Sequence, residues 1–486
     1  MISLREPSLL KDQCFIDGQW CDAHSGKTFS VANPATEEVL AHVADGDAVD
    51  ADRAIVAASR ALPGWRSLTA RERARCLHRW FELIMSHQED LALLMTLEQG
   101  KPLSEARGEI AYAASFVQWF AEEAKRVYGD VIPTTGNDRR LLVIKQPVGV
   151  VAAITPWNFP SAMLARKLGP ALAVGCTVVA KPASETPLSA LALMVLAREA
   201  GIPAGVVNVV TGTDARGIGE AFTGSPDVAK ITFTGSTAVG KQLLRASAET
   251  VKKVSMELGG NAPVLVFDDA DIERAVAGTI ASKYRNAGQT CICANRILVQ
   301  SGVHDRFVAA LNAQVSKLAV GNGLDNRTQI GPLISERAVS KVRKLVDDAV
   351  ARGASMLTGG SVPGTGGYFY PPTVITDTRE EMAIFQEEIF GPVSAVTRFD
   401  SEADGLRLAN NTRAGLAAYF YTRDIGRIWR VAEGLAYGMV GVNEVAISNE
   451  VIPFGGVKES GIGREGSRYG VDDYLDIKHI CLGGLS

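Results

Sequence analysis

Cysteine is scarce. The 486-residue chain has seven, and Cys14, Cys21, Cys76, Cys176 and Cys481 are scattered, with only Cys291 and Cys293 close together. That spacing excludes a disulfide framework and suits a reducing, cytoplasmic compartment. The six histidines are dispersed, and neither His-x-x-x-His nor Cys-x-x-Cys occurs, so no metal site is expected. Neither sign of charge dominates: 50 Lys and Arg against 54 Asp and Glu leave a net charge of −4. The usual electrostatic reason for nucleic acid or an anionic membrane as partner is therefore missing. Long hydrophobic runs are missing too. Leu168–Ala180, the longest uncharged apolar stretch, is 13 residues, contains Pro170 and Gly175, and is too short to cross a bilayer. The first ten residues carry Arg5 and Glu6 and lack the apolar core of a signal peptide.

What is present is ordinary for a globular protein: 47% hydrophobic and 21% charged residues, enough to bury a large core without staples. At roughly 150 residues per domain the length predicts two or three domains. Forty-eight glycines against 20 prolines suggest many tight turns. Apolar residues recur at helical spacing through Ala51–Ala61, Ala70–Met85 and Leu103–Arg126. Gly129, Pro133 and Gly136 mark an excursion, after which Arg140–Lys145 reads as a strand. From Val148 strands and helices alternate, with strands at Val148–Ile154, Thr177–Ala180, Val206–Val210, Ile231–Phe233 and Val251–Glu257. Helices fall at Ser161–Val174, Leu188–Ala200, Ile218–Phe222 and Val239–Ala248. Such alternation predicts an α/β fold with a parallel, Rossmann-like sheet covered on both faces. A second α/β region starts near Pro263–Val266 and runs through Gly455.

Five segments carry candidate chemistry. Gly235-Ser-Thr-Ala-Val-Gly240-Lys241 follows an apolar strand and opens a helix, a geometry that points N–H groups at a phosphate. It lacks the hydroxyl that would complete a P-loop, because Gln242 comes next, and a plain helix entry explains it as well. Gly288-Gln-Thr-Cys291-Ile-Cys293 places a cysteine after a glycine turn, either as a nucleophile or as a small buried side chain. Glu257 ends a strand before Gly259 and Gly260, where a general base or a salt bridge would sit. Thr155-Pro-Trp157-Asn158-Phe-Pro160 ends another strand, where open α/β sheets bind ligands. The Asn158 amide there suits either an oxyanion donor or a helix cap. Lys181-Pro-Ala-Ser184 offers a cation and a hydroxyl to a ribose or its 2′-phosphate, or simply a solvated turn.

Together these segments resemble the aldehyde dehydrogenase superfamily. The likeness extends from Asn33-Pro-Ala-Thr36 through Glu387-Glu-Ile-Phe-Gly-Pro392 to Pro453-Phe-Gly-Gly-Val-Lys-Glu-Ser-Gly461 and Gly463-Arg-Glu-Gly466. It implies Cys291 as nucleophile, Glu257 as base for deacylation, and Asn158 with the Cys291 backbone N–H as oxyanion hole. Trp157, Asn158, Lys181, Ser184, Gly235, Ser236, Leu258, Glu388 and Phe390 fall on cofactor positions. The implied domains are a cofactor unit (1–128 and 149–259), a catalytic unit (260–455) and an oligomerisation element (129–148 and 456–486, with a strand at Tyr474–Ile480). A dimer or tetramer follows from that likeness.

Within the superfamily the chain resembles bacterial enzymes that oxidise succinate semialdehyde, through Phe159–Lys167, Lys283–Asn295 and Ile447-Ser448-Asn-Glu. Arg166 and Arg285 fall on the clamp for the distal carboxylate, with Ser448 as a further donor; guanidinium groups suit carboxylates bidentately. Glutarate semialdehyde differs by one methylene, worth only about 1–3 kcal/mol of discrimination. Thioester transfer to coenzyme A would share Cys291 but not need Glu257, and a non-catalytic protein would need none of the three. NADP is expected over NAD, because relatives preferring NAD often carry Glu where Ser184 stands. If Cys291-Ile-Cys293 is extended, its Cα atoms lie roughly 6.5 Å apart, near the upper limit for a strained, regulatory disulfide. Otherwise Cys293 packs as a small apolar residue.

Overall fold

The structure is a computed structural model that describes residues 2–360 and 366–485 of the chain. Its first sheet has eight strands in the order Gly461–Ile462, Lys253–Glu257, Val228–Thr234, Val150–Ile154, Thr177–Lys181, Val207–Val209, Cys14–Ile16 and Gln19–Cys21. The five strands from Lys253–Glu257 to Val207–Val209 run parallel, and the outer three pair antiparallel. Parallel strands need cover on both faces, and Val150–Ala153 are accordingly buried on every side. Helices Ala70–Ser86, Leu103–Glu123, Pro160–Val174 and Pro187–Glu199 contribute to one core. Helices Ala48–Ser67, Ala215–Gly224 and Thr237–Ala248 contribute to the other.

Register brings four sequence motifs to one edge. Ile154 pairs with Lys181 and with Phe233, and Thr234 pairs with Glu257. The segments beginning at Thr155, Lys181, Gly235 and Leu258 therefore leave the sheet side by side at its carboxyl end. A second sheet of seven strands faces this edge from the 262–442 region. Its central strand Ala294–Gln300 follows Cys291 directly, beside the wholly buried Ala262–Val266.

A third sheet joins Asp130–Ile132, Arg140–Pro147 and Leu475–Leu482, all antiparallel. Gly461–Ile462, expected within the oligomerisation element, instead forms the edge of the first sheet against Met256 and Glu257. Four N-terminal strands and the helix Gln88–Gln99 add to the expected elements. The hairpin Cys14–Cys21 turns on Asp17 and Gly18, both at positive φ (53° and 74°), as an Asp-Gly turn requires. That hairpin sets Cys14 directly opposite Cys21, so proximity in the chain did not identify every neighbouring cysteine pair. Among the described residues no helix is long and apolar enough to cross a membrane.

Candidate active site

Cys291 lies on the wall of a cavity of about 300 Å³, together with Arg166, Arg285 and Ser448. The loop carrying it is strained. Asn286, Ala287 and Gly288 all adopt left-handed backbone (φ 52°, 54° and 75°), a conformation costly for the two non-glycine residues. Glycine is required at 288, where a Cβ would meet the Gly391 carbonyl at 2.2 Å. Gly260 is equally constrained, since a Cβ there would lie 2.1 Å from the Cys291 carbonyl. The loop after Glu257 and the loop of Cys291 are thus in backbone contact. Among the described residues no acceptor takes the Cys291 N–H. Burial first, then the nearby Glu388, push the Cys291 thiol up to about 12, so the resting group is protonated.

Glu257 is 3% exposed, and its Oε2 has no hydrogen-bond partner among the described residues. Burial raises its proton affinity well above the carboxylate range, and Glu465 adds to this. Glu465 is buried as deeply, but Lys167 at 2.6 Å and Arg166 at 2.8 Å outweigh burial and hold it below that range. The salt-bridge reading of Glu257 is not met; its neighbour Glu465 takes the cations.

Asn158 is buried and does not cap the helix Pro160–Val174, whose first amides Ser161 and Ala162 donate instead to Glu109 at 3.0 and 3.2 Å. The Asn158 amide donates to the Gln289 carbonyl at 3.0 Å, two residues before Cys291.

The two arginines differ. Arg166 is 1% exposed, sits 3.9 Å over the Phe454 ring and faces Glu465, so its charge is largely met within the protein. Arg285 is exposed to the cavity, 5.3 Å over the Phe159 ring, with no carboxylate in ion-pair range among the described residues. Ser448 hydrogen-bonds Tyr112 on the same wall. Tyr112, Glu105 and Glu109 escaped the sequence reading. Their spacing of i, i+4 and i+7 along one face of the helix Leu103–Glu123 was the available signal.

The residues matched to cofactor positions line the sheet edge. Lys181 is 5% exposed, donates only to the Pro182 carbonyl at 3.3 Å, and burial lowers its proton affinity. It is not a solvated turn lysine. Ser236 caps the helix Thr237–Ala248, accepting from Val239 at 3.4 Å, and Gly235 donates to the Glu257 carbonyl at 3.0 Å. Leu258 packs on Gly240, where a Cβ would meet its Cδ2 methyl at 2.3 Å. Glu388 accepts from Gly260 at 3.1 Å and is pushed up to about 7 by burial. Trp157 meets Phe390 edge to face, 5.6 Å between centroids. Among the described residues the buried Lys181 ammonium has no carboxylate in ion-pair range and the Thr234 hydroxyl no partner; with a helix N-terminus beside them they suit a nucleotide with phosphates. Ser184 is already engaged, donating to Glu185 at 3.2 Å.

The extended Cys291–Cys293 segment is not found. Cys293 N–H closes a turn onto Thr290 at 3.1 Å, and its sulfur points to the Gly288 carbonyl at 3.3 Å. Both cysteines are free thiols, and Cys293 is buried.

Residues 20–480 match the model of the aldehyde dehydrogenase family. Over full length the chain is 59% identical to a 3-sulfolactaldehyde dehydrogenase from Pseudomonas putida, each chain covered completely. It is 57% identical to a glutarate-semialdehyde dehydrogenase from Pseudomonas aeruginosa (100% of each chain). The same identity relates it to an NADP(+) succinate-semialdehyde dehydrogenase from Escherichia coli, covering 99% of this chain and 100% of that one. A crystal structure of an Escherichia coli NADP-dependent enzyme superposes with a TM-score of 0.98 at 57% identity, over 99% of this chain and 100% of that one. The chain belongs to the aldehyde dehydrogenase family.

Proposed function

We propose that this protein oxidises a short aldehyde with a distal anionic group, succinate semialdehyde first, to the acid with NADP. The observation that supports this best is one cavity holding both Cys291 and an arginine free of a carboxylate partner, Arg285. A carboxylate or sulfonate tail satisfies that guanidinium and the Ser448 and Tyr112 hydroxyls, which is consistent with the names of all three relatives. Arg166, shared with Glu465, adds a second cation to the same wall.

In the proposed mechanism Cys291 gives its proton to water and its sulfur bonds the aldehyde carbon, while the carbonyl pair moves onto oxygen, forming a thiohemiacetal oxyanion. The Cys291 N–H and the Asn158 amide hold the oxygen. When bound, a nicotinamide dinucleotide would supply the hydride acceptor needed to take the thiohemiacetal to a thioester. Lys181 and Ser184 would hold its ribose and 2′-phosphate, the helix entry at Gly235 and Ser236 its pyrophosphate, and Glu388 its second ribose. Trp157, Leu258 and Phe390 would flank it. Glu257 then takes a proton from water, which displaces Cys291 and releases the acid. A base so placed favours hydrolysis over transfer to coenzyme A. We further propose that residues 1–128 and 149–259 form the cofactor unit and 260–455 the catalytic unit.

The test is a panel of succinate semialdehyde, glutarate semialdehyde, 3-sulfolactaldehyde and butanal with each cofactor, followed by absorbance of reduced nicotinamide. The expected order places an anion-tailed aldehyde with NADP highest, and Cys291→Ala at zero with cofactor binding retained. Butanal equal to the anionic substrates would overturn the substrate reading.

A further inference from the structure

Gly100–Glu109 lies far in sequence from either motif loop, yet its side chains hold both. Lys101, 1% exposed at its side chain, donates to the Asn158 carbonyl at 2.8 Å and pairs with Glu109 at 2.5 Å. Glu109 in turn takes the Ser161 and Ala162 amides, so the peptides on both sides of the Phe159–Pro160 step are tied to one ion pair. Glu105 takes the N–H of Asn286, the first left-handed residue of the nucleophile loop, at 2.8 Å. Asn286 closes the frame by donating its amide to the same Asn158 carbonyl at 2.9 Å. A buried Lys–Glu pair contributes little net stability over apolar side chains of the same volume. What it does supply is direction: the orientation of the Asn158 peptide sets where its Cα–Cβ bond, and hence its amide, points.

We propose that Lys101 is a positioning residue that aims the Asn158 amide at the oxygen of the Cys291 adduct by fixing the Asn158 carbonyl. The proposal rests on Asn158 being the oxyanion donor. It assigns Lys101 no contact with substrate, so its removal acts on turnover and not on binding.

The experiment is a double-mutant cycle on the full-length enzyme with succinate semialdehyde and saturating NADP. Lys101→Met is expected to lower kcat about 10²-fold, as a misplaced catalytic group does, with aldehyde KM and cofactor Kd unchanged. In an Asn158→Ala background, itself slower by about 10²–10³-fold, the same substitution is expected to cost almost nothing more. Equal losses in both backgrounds, or wild-type kcat in Lys101→Met, would overturn the positioning role while leaving the oxyanion reading intact. Wild-type kcat in Asn158→Ala would instead overturn that reading and the proposal with it. Because Lys101→Met leaves Glu109 buried and unpaired, the charge-neutral Lys101→Met/Glu109→Gln is carried through the same cycle, with thermal melting to show that each variant folds.

Discussion

At the scale of single residues, proton affinity decides the roles of Glu257 and Cys291. Burial holds Glu257 well above the carboxylate range, so it is protonated as pH falls through a value higher than an ordinary glutamate's. Thioester hydrolysis is therefore expected to fail on the acid side at a pH where exposed carboxylates are still charged. The initial burst of reduced cofactor, which does not need Glu257, should persist there; stopped-flow absorbance across pH separates the two. Glu257→Gln should show that burst and then stall, and full steady-state turnover would contradict its assignment. At the far wall, Arg285→Ala removes a charge-assisted contact of about 1.5–3 kcal/mol, or roughly 10–100-fold in kcat/KM for succinate semialdehyde. Butanal should lose almost nothing, and an equal loss on both would mark a structural arginine.

At the scale of elements, the chemistry depends on loops held against their own preferences. Two consecutive non-glycine residues in left-handed backbone cost on the order of 1–3 kcal/mol each, and the Glu105 and Asn158 contacts to Asn286 hold them there. Gly260→Ala would drive a Cβ into the Cys291 carbonyl and shift the nucleophile. The expected result is at least about 10²-fold lower turnover together with a lower melting temperature. Such dependence was only partly legible. The strands were legible because parallel strands are continuous apolar runs bounded by glycine and proline. The loops were not, because the turn at Cys291–Cys293 depends on Gly288 and Thr290 accepting bonds across a bend that no alternation of residues announces. Asp17-Gly18, by contrast, was a readable hairpin signal that the sequence reading passed over.

For the whole molecule, the three-stranded sheet stands out by what it leaves uncovered: Val131 and Ile477 are 77% and 74% exposed, with Tyr128 beside them at 72%. We propose this sheet as the contact between copies of the chain. Val131→Asp/Ile477→Asp should yield a smaller species by sedimentation velocity with the fold intact by circular dichroism, and an unchanged mass would remove the assignment. Sequence alone determined the α/β class and the strand ends that carry the four motifs, because apolar periodicity and glycine turns are local properties. It also offered Cys291, Glu257 and Asn158 as candidates, through the resemblance of their motifs to the family's. Only the tertiary structure decided that Arg166 faces Glu465 while Arg285 stays free. It alone decided that, among the described residues, Glu257 is left without a cation of its own, and that Lys101, just before the helix Leu103–Glu123, and Glu105 in its first turn clasp two distant loops. Charges find partners across space, and burial sets their proton affinity. Neither is written in sequence spacing.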